Sequence, residues 1–185
     1  MAADQRERLL AAVPVVVAEY GFSATTVAHI VGAAGVGRAT FYEQFTDKLE
    51  CFEVAYERAQ DRLLGALTFP CYVKSSLGER IEGALSAALE LLAREPDLAV
   101  LVAVEGPGAG PGPAKRHLQG MRRYGALLPL GVLGVPGAKR PPAATEVMIA
   151  GGIVTAIAQR VLAGEVERLP SLAPSLAEYA LSFYG

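Results

Sequence analysis

Residues 25–48 read TTVAHIVGAAGVGRATFYEQFTDK, and this stretch decides the fold. Thr25 or Thr26 supplies a hydroxyl able to cap the free N–H groups at a helix start. Val27, Ile30, Val31 and Ala34 follow at the i, i+3, i+4, i+7 spacing of an amphipathic helix. Gly35-Val36-Gly37 ends it, because a glycine just past a helix takes the left-handed conformation without a side-chain penalty, and Val36 adds an apolar plug. The next helix, Arg38 to Phe45, points Phe41 and Phe45 to the core and leaves Arg38, Thr40, Tyr42 and Gln44 to project elsewhere. Two short helices around a glycine turn form a helix-turn-helix. Short donors, hydroxyls and a cation on the second helix have the chemistry that reaches base edges and phosphates.

Working outward, RERLLAAVPVVVAEYGFSATTVAHIVGAAGVGRATFYEQFTDKLECFEVAYERA, from Arg6 to Ala59, resembles the N-terminal domain of the tetracycline-repressor (TetR) family of transcriptional regulators. The resemblance rests on Gly21-Phe22 closing the first helix, Thr25-Thr26-Val27, Ala34-Gly35-Val36, Thr40-Phe41-Tyr42, Phe45 and Lys48. It implies an all-α chain of about nine helices: a three-helix DNA-binding domain over residues 1–48, its motif at about 26–45, and a helical effector-binding and dimerisation domain over 49–185. It also places Thr26, Arg38, Ala39, Thr40, Tyr42, Gln44 and Lys48 on DNA-facing positions. Tyr42 and Lys48 would grip phosphate, while Arg38, Ala39 and Thr40 face bases.

Three residues depart from the family pattern. Pro14 lies inside the first helix, where losing a hydrogen bond and clashing with the preceding turn costs roughly 3 kcal/mol unless a kink absorbs it, so a bend is expected near Ala11 to Pro14. Ala28 stands where many relatives carry a long polar or basic side chain, and Glu43 puts an acid on the reading helix. Together they imply fewer phosphate contacts and a cytosine contact through Glu43. His29 reads as a surface or helix-packing residue. Residues 1–48 hold four cations against five acids, so binding to DNA would rely on placed groups and depend less steeply on salt than that of a basic domain.

Beyond the motif, Leu49, Phe52, Tyr56, Ala59, Leu63 and Leu67 continue a helix to about residue 67, and Thr68 to Ser76 reads as a break. Ile81, Leu85, Ala88, Leu89 and Leu92 mark a helix from Ser76 to about Arg94, and Pro96-Asp97 starts a short one ending near Glu105. Residues 106–113, GPGAGPGP, read as a loop; Pro107, Pro111 and Pro113 offer no N–H to cradle a phosphate. A helix follows from Ala114 in a region without acids between Glu105 and Glu146, where Lys115, Arg116, Arg122, Arg123, Lys139 and Arg140 accumulate. Two readings stay open: a solvated basic face, or a pocket rim for an anionic effector such as an acyl thioester or carboxylate. The second makes Glu105, Arg116, His117, Met121 and Tyr124 candidate pocket residues.

Leu130 to Pro142 is too rich in glycine and proline for a regular helix and reads as a connection. Ala143 to Ala163 is apolar nearly all round and must be covered on every side. With a final helix over about Ser171 to Tyr184, capped by Ser171 or Ser175, it suits the last helix pair that TetR-like proteins join across a two-fold axis. Ile149, Ile153, Ile157, Leu176, Tyr179 and Phe183 are the candidate dimer residues.

Composition points the same way. Tryptophan is absent, no stretch shows strand alternation, and 185 residues suffice to bury a core. No charge-free run reaches the ~18 residues of a membrane span, and no export signal opens the chain, so a cytoplasmic protein is expected. Cys51 and Cys71 make no disulfide framework, and Cys51 reads as core. With two histidines, no nucleophile elbow and no clustered ligands, neither an enzyme, a cofactor nor a metal is expected. The expectation is a homodimeric repressor that leaves a palindromic double-stranded DNA operator when a small molecule binds. The alternative is a ligand-sensing helical dimer with weak or altered operator binding.

Overall fold

A computed structural model describes residues 2–68, 76–128 and 141–184, and these form helices with no strand among them. Cys71, Lys139, Arg140 and most of the two expected connections lie outside the described residues. Among the described residues nine α-helices of five residues or more run in order: α1 Ala2–Ala24, α2 Val27–Ala34, α3 Arg38–Gln44, α4 Lys48–Thr68, α5 Leu77–Arg94, α6 Pro96–Val100, α7 Pro111–Gly125, α8 Ala143–Leu162 and α9 Ala173–Leu181. α6 runs on through a π-helical segment, Leu101–Glu105, and a single turn, Gly106–Gly108. A 3-10 segment, Val166–Leu172, leads into α9.

One core extends from Leu9 to Tyr184. α1 contributes Leu9, Leu10, Val13, Val16 and Val17 at helical spacing and packs on α2 and α4. α4 is the shared wall, contacting α1 on one side and α5 and α7 on others. Ser76 starts α5 through a capping box, its hydroxyl accepting from Glu79 N at 3.2 Å while Glu79 Oε2 accepts from Ser76 N at 3.1 Å. α8 packs on α7 and on the π segment, and α9 packs on α5.

Several expectations from sequence are revised. α1 keeps its helical path through Pro14 and breaks at Gly21, whose φ of 73° and ψ of 155° are affordable only without a Cβ. Buried Leu10, Val13, Val16 and Val17 on both sides of Pro14 hold that turn in place despite the missing donor. Residues 106–113 are not a simple loop. Gly106–Gly108 continues the preceding helix, only Ala109 and Gly110 interrupt it, and Pro111 opens α7 at the first-turn position where a missing N–H costs nothing. The last helix spans Ala173–Leu181, shorter than expected, because the chain with Pro170 winds as 3-10 first and the Ser171 hydroxyl donates back to Arg168 O.

The candidate dimer residues also divide. Ile149, Ile157 and Leu176 are buried within the protomer, and half-buried Ile153 faces a cavity. The outward stripe of α8 is Met148, Gly152, Thr155 and Leu162, with Met148 71% and Leu162 72% exposed. Tyr179 and Phe183 are exposed beside it, their rings edge to face at 5.4 Å. α8 is long and apolar enough to cross a membrane, yet Ile149, Ala150, Ile157 and Val161 are covered by this fold.

Candidate functional site

Thr26, not Thr25, caps α2. Its Oγ1 accepts from His29 N at 3.2 Å, while Thr25 is buried and its hydroxyl donates to Gly21 O at 2.7 Å. Gly35 takes φ 63° and ψ 40°, and a Cβ there would lie 2.6 Å from Arg8 Nη2, which itself donates to Gly35 O at 3.0 Å. Phe41 and Phe45 are buried beneath the turn, with the Arg6 guanidinium 5.0 Å from the Phe45 ring centre. α3 therefore turns Arg38, Ala39, Tyr42 and Glu43 outward, and leaves Thr40 and Gln44 half-buried. Tyr42 is 59% exposed, with its ring edge to face against Phe41.

Lys48 has other partners than the expected phosphate. Its Nζ donates to the carbonyls of Phe22, Ser23 and Thr25 at 3.0, 3.1 and 2.7 Å, and lies 4.7 Å from the Phe22 ring centre. All three ammonium protons are thus directed at the end of α1, where they satisfy carbonyls that helix termination leaves open. Lys48 ties the start of α4 to the entrance of the helix-turn-helix.

The candidate pocket residues separate into two groups. Arg116 turns away from the interior, with Nη2 3.0 Å from Glu53 and Nη1 2.8 Å from Glu57, and Arg123 pairs with Asp61 at 2.6 Å. These pairs fasten α7 along α4, each worth no more than about 1 kcal/mol where exposed. Glu105 accepts from Phe22 N at 2.7 Å and so holds the break of α1 rather than lining a cavity. His117, Met121 and Tyr124 do face inward, onto an interior space walled by α4, α5, α7, α8 and the π segment. Its larger part, with an empty volume of about 760 Å³ including its open mouth, is walled by aliphatic side chains and Tyr124. No cation lines it.

At the deep end Tyr56 Oη and His117 Nδ1 are 2.9 Å apart, a hydrogen bond whose direction follows the imidazole tautomer. Burial pushes the Tyr56 phenol up, so it stays protonated, and lowers the His117 pKa. Above the free value of ~6.5 neither the folded nor the unfolded chain protonates His117. As pH falls below that, the unfolded chain binds a proton that the folded one refuses, and stability declines until the folded pKa is passed. Urea midpoints followed from pH 7.5 to 5.5 should therefore fall, and His117→Gln should flatten that slope. Cys51, pushed up to about 12 by burial, is an inert core thiol.

Residues 9–55 match the family described as bacterial regulatory proteins, tetR family. Over these residues the chain is similar to the TetR family. Across the whole chain the fold is TetR-like. FadR from Bacillus subtilis, whose crystal structure is a complex with stearoyl-CoA, superimposes with a TM-score of 0.81 at 18% identity, covering 97% of this chain and 99% of that one. The fatty acid degradation regulator FadR from Bacillus halodurans gives 0.84 at 18%, over 96% and 94%. A TetR family transcription regulator from Marinobacter aquaeolei gives 0.69 at 22%, over 94% and 95%. A comparison with curated proteins finds no match. The TetR resemblance identified the helix-turn-helix from its local motifs but not Tyr56, Gln60 and Val102, which meet at the deep end of the cavity. One usable signal was present: Glu53, Glu57 and Asp61 recur every four residues on α4, and complement Arg116 and Arg123 two turns apart on α7.

Proposed function

We propose that the protein is a homodimeric, DNA-binding transcriptional repressor whose grip on a palindromic operator is released by a small molecule with a long apolar chain. The observation that carries this is the exposed face of α3, where Arg38, Ala39 and Tyr42 stand together over a buried Phe41. Two such helices about 34–36 Å apart read successive major grooves. Arg38, Ala39 and Thr40 approach base edges, while Thr26, Tyr42 and Gln44 position the helix on phosphates; Lys48 sets the angle of α4 to that head. Residues 1–48 act as the reading unit and 49–185 as the sensing and dimerising unit, working on cytoplasmic DNA.

The cavity supports the effector class. Its aliphatic walls suit a hydrocarbon chain, and with Arg116 and Arg123 paired to α4 a charged head meets no cation among the described lining residues and would stay at the mouth. A fatty acyl thioester has this build, and stearoyl-CoA is what the B. subtilis FadR structure holds. Leu63 and Leu67 of α4 line the cavity, so an occupant bears on the helix that Lys48 ties to the reading head. Release then follows from unequal affinity of the effector for the two head spacings.

Fluorescence anisotropy on DNA flanking the gene tests the reading. Wild type should bind one palindromic stretch saturably, with a log–log salt slope shallower than about −8 for the dimer. Arg38→Ala and Tyr42→Ala should each weaken binding by about tenfold or more, as loss of a charge-assisted contact does. Their unfolding transitions should not change, since both side chains are exposed. Equal affinity for random DNA would reject a sequence-specific repressor. One observation favours a second reading, a ligand-sensing dimer with weak operator binding: Arg6, Arg8 and Lys48 contact a ring or main-chain carbonyls within the domain.

A further inference from the structure

Two adjoining interior pockets, an outer and an inner compartment, share Leu63, Tyr124, Val154 and Ile157 as lining. The outer one is rimmed by half-buried Leu67, Leu127, Leu128 and Ile153. The inner one is small and is walled by buried Tyr56, Gln60, Leu92, Val102, Ala103 and Met121. Val102 and Ala103 belong to the π-helical segment Leu101–Glu105. A π turn bonds i to i+5 and so carries a residue more than an α turn, and such segments are frequent at functional sites.

The far end of that segment holds the reading head. Glu105 Oε2 accepts from Phe22 N at 2.7 Å, and Phe22 O is one of the three carbonyls on Lys48 Nζ. The next residue, Gly106, lies against the Tyr56 ring so closely that no Cβ fits between them. The inner compartment is therefore where an occupant of the cavity touches the segment that holds α1. The outer compartment touches α4, α5, α7 and α8 but none of the π segment.

Resting on the effector reading above, we propose that the inner compartment is a chain-length trigger. A short chain fills the outer compartment and binds without signalling. A longer chain passes Leu63, Tyr124, Val154 and Ile157, presses on Val102 and Ala103, shifts the π segment, and draws Glu105 away from Phe22 N.

The test uses the full-length dimer with hexanoyl-, decanoyl- and stearoyl-CoA, following binding by calorimetry and hydrogen exchange at the Phe22 amide. All chains that bind should enter the outer compartment, but only the longer ones should speed Phe22 exchange, by about tenfold or more, as loss of a hydrogen bond to a carboxylate does. Ala103→Leu, which fills the inner compartment, should keep hexanoyl-CoA binding and abolish the acceleration by stearoyl-CoA. Should Ala103→Leu not fold, Val102→Ala enlarges the same compartment and should move the onset of acceleration to a different chain length. Binding with Phe22 exchange that ignores chain length, or an onset unmoved in both variants, would overturn the trigger and leave the effector reading intact. No binding at any length would overturn both.

Discussion

Gly106→Ala should cost the fold about 3 kcal/mol, at the upper end of what an overpacked core residue usually costs. The added Cβ would fall on Cε2, Cζ and Oη of Tyr56, well inside contact distance. Tyr56 has nowhere to go: it is fully buried, its ring stacks on Phe52 with centres 5.9 Å apart, and its hydroxyl is bonded to His117. Relief must come from the π segment or from α4, and both are tied to the reading head through Glu105 and Lys48. Intrinsic helix propensity runs the other way, since alanine is better than glycine in a helix by about 1 kcal/mol. Gly65→Ala isolates that contribution. Gly65 lies within α4 with no atom within 4 Å of its Cβ position, so this substitution should stabilise by roughly 0.5–1 kcal/mol. Denaturant midpoints for the two variants should move in opposite directions, and a neutral Gly106→Ala would mean that α4 and the π segment yield easily.

Met148→Arg combined with Phe183→Arg should leave a folded monomer and weaken operator binding by about a hundredfold or more, the avidity that joining two half-site readers normally supplies. Within one protomer the stripe of Met148, Gly152, Thr155 and Leu162 on α8 and the Tyr179–Phe183 pair on α9 face solvent. Met148, Leu162, Tyr179 and Phe183 are the exposed large apolar side chains that the proposed dimer would cover. α8 and α9 meet closely at Gly152, where a Cβ would be 2.7 Å from Tyr179 Oη, so the two stripes form one surface. In a two-fold dimer each substitution appears twice, and every buried unpaired guanidinium costs about 3 kcal/mol or more. The circular dichroism of the monomer should match wild type, because neither side chain belongs to the protomer core. Sedimentation showing the double variant still dimeric would move the interface elsewhere.

Much of the reading head is legible in the chain because its signals are local. A threonine before an apolar face, a glycine past its end and two phenylalanines four apart act within a single turn, and α2, the left-handed Gly35 and α3 follow them closely. The basic region was ambiguous for the opposite reason. Arg116 and Arg123 could have faced an anion, solvent or another helix, and only the packing of α7 on α4 brings Glu53, Glu57 and Asp61 to them. Pro14 shows the same dependence: its local cost is real, but the apolar residues packed around it keep the backbone helical there, and the non-helical break falls at Gly21.

The helical character of the chain, the helix-turn-helix and the exposed face of α3 are local properties, since capping, glycine conformation and apolar period are set by neighbours along the chain. Which way α8 turns its apolar sides, burying Ile149 and Ile157 and exposing Met148 and Leu162, depends on helix packing. It alone set the partners of Lys48 and Glu105 and opened a cavity beside a π turn. A helix apolar all round carries no mark of which side meets its own core, and a long charged side chain reaches several partners. Both choices are made by whichever helices pack alongside.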